Sequence, residues 1–207
     1  MAFWKTKHAA IKRHWEVDDR NKFLSWPSIE STMFVKPIPA VEMERNMLTP
    51  FWRELAVGEI EGFPDSNLWH QASHLDTYER TSDILIKDLT RIVEVGGGYG
   101  AMCLLARRAG FKGEYVIYDV PEMSAIQEFY LEKMGAEATL KTEFIRDTAD
   151  LFVGMFSLSE LDRPVLEQYT KNIVTSHILF GMKDDPWEGQ DNHKFLKESY
   201  PNAQRVP

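Results

Sequence analysis

Cysteine is almost absent: Cys103 stands alone in 207 residues. No disulfide can form within the chain, which excludes a disulfide-stapled fold and suits a reducing compartment. Basic charge is also short, with 24 Lys and Arg against 32 Asp and Glu and a net charge of −8. That balance argues against a general binder of nucleic acid. Long apolar runs are missing. None approaches the roughly 20 residues of a membrane-spanning helix, and the N-terminus lacks the unbroken apolar segment of a secretory signal. The expectation is a cytoplasmic protein that partners neither membrane nor nucleic acid. At this length the chain makes one domain, or one domain with an appendage, and can bury a proper core.

What the chain does have is concentrated at Arg91-Ile-Val-Glu-Val-Gly-Gly-Gly-Tyr-Gly100. Ile92, Val93 and Val95 are β-branched, as a strand covered on both faces requires. Gly96, Gly98 and Gly100 then let the backbone turn sharply and admit a ligand close to it. Met102, Leu104, Leu105 and Ala106 begin a helix that Gly110 ends, with Cys103 as a small core residue. Strand, glycine turn and helix open a nucleotide-type α/β domain. Two cofactor classes use such a turn: dinucleotides and S-adenosylmethionine. Glu94 bears on the choice. A buried acid before the glycines needs a cation or donors. A sulfonium with an α-ammonium group meets that need, whereas a pyrophosphate would be repelled.

The first ninety residues read as mostly helical. Trp4, His8, Ile11 and Trp15 share one face of a helix over 4–24. Pro27, Pro37 and Pro39 suggest an extended connection over 25–41, pinned by Phe34, Val35 and Ile38. Thr49-Pro50 starts a helix that Gly58 closes. A turn at 62–65 precedes a helix over 66–80, and a further helix over 81–89 is expected. Residues 1–89 form a helical cap, and 90–207 the cofactor-binding domain. His70 and His74 are four apart and share a face. That is the spacing of half a metal site, but no third ligand completes it, so no metal is expected. They are candidates to face a substrate.

A second buried strand, Glu114–Tyr118, ends at Asp119. Ligands of open α/β sheets lie at the carboxyl ends of the strands. Asp119 is therefore placed either to accept hydrogen bonds from ribose hydroxyls or to cap the helix that begins at Pro121. Further strands are expected at 138–144, 150–157 and 173–180, with helices at 163–172 and 192–200 and a polar loop at 183–190. His177 reads as a hydrogen-bonded core residue. Phe156, Ser157, Ser159 and Glu160 fall at the carboxyl end of the fourth strand. Glu160 suits either a base or a first-turn helix acid.

Four segments carry a family likeness: the glycine turn, Tyr115-Val-Ile-Tyr-Asp-Val-Pro-Glu122, Gln127-Glu-Phe-Tyr-Leu131 and Phe156-Ser-Leu-Ser-Glu160. Over about half its length the chain resembles the sugar O-methyltransferases. They are a branch of the Rossmann-like class I methyltransferases that use S-adenosyl-L-methionine. The resemblance implies a Rossmann-like α/β sheet and methylation of a hydroxyl on a small molecule, a sugar among the candidates. It implies a cofactor site of Glu94, Gly96, Gly97, Gly98, Tyr99, Gly100, Asp119, Val120, Phe156 and Ser157, with adenine near Asp147 and Thr148. His74, Glu160 and His70 are the candidate bases. The family's seven-stranded sheet does not fit: 27 residues follow Phe180, too few for a helix and two more strands. Either the sheet has five strands, or an N-terminal segment or a partner chain covers its edge, since an exposed edge strand invites association and a homo-oligomer.

Overall fold

The computed structural model describes residues 2–33, 38–57, 66–182 and 191–204. Its helices are α1 (Ala2–Val17), α2 (Pro27–Met33), α3 (Ile38–Met47), α4 (Pro50–Leu55), α5 (Ser66–Ser82), α6 (Ala101–Arg108), α7 (Pro121–Lys133), α8 (Arg163–Asn172) and α9 (Asn192–Ser199). The strands are β1 (Arg91–Val95), β2 (Glu114–Tyr118), β3 (Thr139–Lys141), β4 (Asp147–Met155) and β5 (Ile173–Gly181). All pair in parallel in the order β3-β2-β1-β4-β5. Arg91 sits opposite Glu114, Ile92 opposite Leu151, and Asp147 opposite Ile173. The outer edge of β5 has no strand partner among the described residues, and its Val174 is exposed.

Alternation along the strands divides the core into two faces. Ile92, Tyr115, Ile117, Leu151 and Val153 pack on the side of α5, α6 and α7. Val93, Val95, Val116 and Phe152 pack on the other side with Leu166 of α8 and Leu196 of α9. The N-terminal helices belong to the first face. Ile11, Phe23, Trp26, Ile29 and Trp52 are buried in one cluster with Leu75, Met102 and Leu105. Phe23 joins this region to the sheet domain through edge-on contacts with Tyr99 and Tyr130. Cys103 is buried, as expected.

Two local expectations are corrected. Within the stretch 25–41 expected to be extended, residues 27–33 are helical and 38–41 open the helix α3. Pro27 is the first residue of α2 and Pro39 the second of α3, positions where the missing N–H is no loss. The expected helix over 81–89 does not form. Asp83 takes φ 57, which stops α5, and only a 3-10 turn at Ile86–Asp88 follows. Strand positions held with shifted ends: β3 is shorter, and β4 begins at Asp147 rather than 150. Thr49 precedes α4, but its hydroxyl bonds Asp76 Oδ1 (2.9 Å) instead of capping the helix. Phe34, Val35, Gly58, the turn at 62–65 and the loop at 183–190 lie outside the described residues.

Candidate functional site

β1 stands at the centre of the sheet. The chain leaves it toward β2 on one side, and β4 lies on the other. A crevice opens where the connections diverge, at the carboxyl ends of β1 and β4. Gly96–Gly100 fills one side of that point and Phe156–Glu160 the other. Gly96 adopts φ 71 and its N–H donates to Tyr118 O (2.9 Å). A Cβ on Gly96 would lie 2.3 Å from Ser157 Cβ, so only glycine permits this closure. Ser157 completes it from the other strand by donating its hydroxyl to Val95 O.

Glu94 is 2% exposed. Burial pushes its carboxyl up to about 7, against the lowering effect of the Tyr115 hydroxyl, which donates to Oε2 at 2.9 Å; the charge of Asp119 adds to the rise. Asp119 is also pushed up to about 7 by desolvation, although hydrogen bonds from Val120 N–H, Gln127 and Gly97 N–H work against it. Val120 N–H donates to Oδ1 (2.8 Å) and the Gln127 amide to Oδ2 (2.8 Å). The same amide donates to Gly98 O (2.9 Å). Gln127 thus ties the glycine turn to Asp119. Among the described residues no cation pairs with Glu94 or Asp119. The N-cap of α7 is Val120, not Asp119.

Two buried acceptors border this turn with no hydrogen-bond partner among the described residues. They are Gln127 Oε1 and Asn67 Oδ1, whose own amide donates to Tyr99 Oη at 2.8 Å. Desolvated acids and orphaned acceptors fit a ligand that brings positive charge and hydroxyl or ammonium donors. They do not fit a pyrophosphate. The residues present therefore fit S-adenosylmethionine.

The second half of the site stands on α5. His70 is buried, and its ring stacks on Phe156 with centroids 5.7 Å apart and an interplanar angle of 18°. His74 meets the same ring edge-on at 6.2 Å. Phe156 holds φ 62, a left-handed conformation that bulky residues rarely adopt. Its N–H donates to Gly181 O (2.7 Å), and its carbonyl accepts from the Ser159 hydroxyl (2.6 Å). His70 and His74 lie Nε2 to Nε2 at 3.3 Å. Glu160 accepts the indole N–H of Trp4 at 3.0 Å, so α1 reaches the end of β4.

The structure thus brings Glu94, the glycine turn, Asp119 and Val120 together, and joins Ser157, Phe156, His70 and His74 to them across the crevice. Asp147 is elsewhere. Arg91 and Tyr118 hold its carboxylate at 2.7 Å each, which removes the expected adenine contact. His177 is half-buried against Tyr78 on the edge strand, not in the core. Sequence reading missed Tyr115, Asn67 and Glu44 as site residues. Gln127 carried a signal: it is a polar residue on the inner face of α7, between Met123 and Tyr130. Among the described residues no group of three His, Cys, Asp or Glu side chains is arranged to hold a metal ion, and no helix is long and apolar enough to cross a membrane.

A parallel sheet in the order 3-2-1-4-5 with a glycine turn after its central strand decides the architecture. The fold is Rossmann-like. No family model matches the chain, and no curated protein does. Among solved structures, a SAM-dependent methyltransferase from Aquifex aeolicus is 19% identical over 81% of this chain and 89% of that one, with a TM-score of 0.45. Mitomycin 7-O-methyltransferase is 12% identical over 88% of this chain, with a TM-score of 0.43. Coclaurine N-methyltransferase, bound to N-methylheliamine and SAH, is 13% identical over 82% of this chain, with a TM-score of 0.42. This chain spans 60% and 48% of the length of those last two proteins. Likenesses of this size carry nothing about acceptor or mechanism.

Proposed function

We propose that the chain binds S-adenosylmethionine at the Gly96–Gly100 turn and directs methyl transfer to a hydroxyl of a small molecule, a sugar among the candidates. The observation that carries this reading is the pair of desolvated carboxylates, Glu94 and Asp119, flanking the glycine turn with no cation paired to either among the described residues. Such a site favours a positively charged ligand with several donors. When bound, the cofactor supplies an activated methyl carbon.

The chain's own residues then have separable tasks. Glu94 offers negative charge to the methionine part. Asp119 keeps acceptor capacity for ribose hydroxyls, since a carboxylate has about four lone-pair sites. Gly97, Gly98, Tyr99, Gly100 and Val120 shape the wall, and Phe156 with Ser157 bounds the methyl side. The histidine pair on α5 and Glu160 at the end of β4 are the groups offered to take the hydroxyl proton. The open β5 edge supports self-association, which sedimentation would test. Calorimetric titration with S-adenosylhomocysteine, with NADH as control, tests the cofactor reading. Saturable binding of the first alone is expected. Binding of NADH alone would overturn the proposal.

A further inference from the structure

We infer that Gln127 is a positioning residue of the cofactor site, holding Asp119 and the glycine turn in one geometry so that both meet the ligand together. The inference rests on the S-adenosylmethionine reading and adds a residue to it. Gln127 lies eight residues beyond Asp119, on the second turn of α7. Its amide nitrogen meets two acceptors, Gly98 O at 2.9 Å and Asp119 Oδ2 at 2.8 Å. A backbone carbonyl only accepts, so the atom facing Gly98 is the nitrogen. Its second hydrogen is left for Asp119. Both donors of the amide are then in use, and its orientation is fixed by its neighbours.

Stability does not explain an amide at this place. Gln127 is 0% exposed, and Met123, Ile126 and Leu131 around it on α7 are apolar and buried. Burying an amide is costly unless each of its polar atoms is paired. Gln127 Oε1 has no hydrogen-bond partner among the described residues. Methionine, of similar length and without the amide, would fill the same space at no such cost. Sequences break the rules of core composition in this way where function requires it. What the amide adds is the link between the acid and the turn.

That link has two effects. The terminal torsion of an aspartate is broad, so its carboxylate plane needs setting. Val120 N–H donates to Oδ1 at 2.8 Å, Gly97 N–H donates as well, and Gln127 takes Oδ2. Two of these donors are backbone, and Gln127 is the only side chain that donates to Asp119 among the described residues. About four lone-pair sites on a carboxylate leave capacity for a ligand hydroxyl beside three donors, and the fixed plane sets the direction from which it approaches. Gly98, at φ 56, has no side chain to anchor its left-handed backbone, and the same amide holds its carbonyl. Acid and turn are thus presented at one separation, and the ligand does not have to order them.

The test is a double-mutant cycle on the full chain: wild type, Gln127→Met, Asp119→Ala and the double variant, each titrated calorimetrically with S-adenosylhomocysteine at pH 8. Gln127→Met should weaken binding about tenfold in the wild-type background, as the loss of a hydrogen bond to a charged group does. Where Asp119 is already gone it should weaken binding no more than about threefold, because residues that act together are not additive. Its melting temperature should stay within about 3 °C of the wild type, since methionine keeps the packing. A tenfold loss in both backgrounds, or unchanged affinity in Gln127→Met, would overturn the positioning role and leave the cofactor reading standing. So would a melting temperature lowered by more than about 6 °C, which would show the amide serving the fold. If Gln127→Met does not fold, Gln127→Glu takes its place in the cycle, since it keeps the shape and when ionised has no donor; the same two affinity ratios decide. No binding of S-adenosylhomocysteine to the wild type would remove the cofactor reading and this inference with it.

Discussion

Glu94 and Asp119 share a defect that a ligand can remove. Each is an acid drawn away from water and raised to about 7. The sign of the pH effect follows. Unfolded carboxyls titrate near 4, so between about 4 and 7 the folded protein holds protons that the unfolded chain has released. Their contribution to stability is full below the unfolded value and is lost as pH rises through 7. A cationic ligand reverses the trend, because it favours the ionised acids. The rise in melting temperature on adding S-adenosylmethionine should therefore be larger at pH 8 than at pH 6, and Glu94→Gln should flatten the difference. Equal shifts at both pH values would falsify the role of these acids. Asp119→Ala should weaken S-adenosylhomocysteine at least tenfold by calorimetry, given roughly 1.5–3 kcal/mol for hydrogen bonds to a charged group. At the turn itself, Gly96→Ala and Gly135→Ala make a matched pair. Both have positive φ, but only Gly96 has Ser157 in the way, whereas Gly135 has nothing within 4 Å. Gly135→Ala should cost about 1–2 kcal/mol in urea unfolding, and Gly96→Ala clearly more.

Elements were legible where one residue pattern had one meaning. The β-branched run at 92–95 and the glycines after it gave β1 and its turn, because an apolar strand of that length ending in glycine has few other uses. Prolines had two meanings. Pro27 and Pro39 read as extended chain, yet both open helices, and the tertiary burial of Trp26 and Ile29 that favours α2 cannot be seen in the local sequence. The stop of α5 was hidden for a different reason. Asp83 is neither glycine nor asparagine, so its left-handed backbone has no local sequence signal, and Ile86, buried three residues on, is not read as a stop either. Asp83→Gly should raise stability by up to about 1 kcal/mol, the left-handed cost removed less the entropy of glycine, as read by the urea midpoint. The cofactor half of the site was readable because it is one turn and one strand end. The histidine half was readable only as two residues on a face. Glu44 is 26 residues from His70, on a separate helix, and no local spacing announces such a partner.

For the whole molecule, the N-terminal helices are not a loose attachment. Ile11 and Ile29 are fully buried in the cluster that also holds Leu105 and Ala106. One cooperative unfolding transition is expected. The tryptophans make this easy to check, since Trp4, Trp15, Trp26, Trp52 and Trp69 all precede residue 70 and only Trp187 follows. Fluorescence therefore reports the N-terminal half while circular dichroism reports all of it. Coincident midpoints are expected, and separated ones would show that the two halves melt apart. Trp52→Ala, which removes a fully buried ring and its hydrogen bond to Glu79, should lower stability by about 3–5 kcal/mol.

The parallel sheet has a consequence for how the chain reaches its native state. Among the described residues it contains no hairpin, so no strand there meets a neighbour by a tight turn. The central pairing of Ile92 with Leu151 must wait for every residue between them. The crevice is made by that late pairing, and so the binding site is assembled after most of the helices around it. Contacts of such wide separation favour slow folding. During synthesis, β1 and its glycine turn must remain without their β4 neighbour until the chain has grown past residue 155, and a ligand that binds the turn can act only once that wait is over.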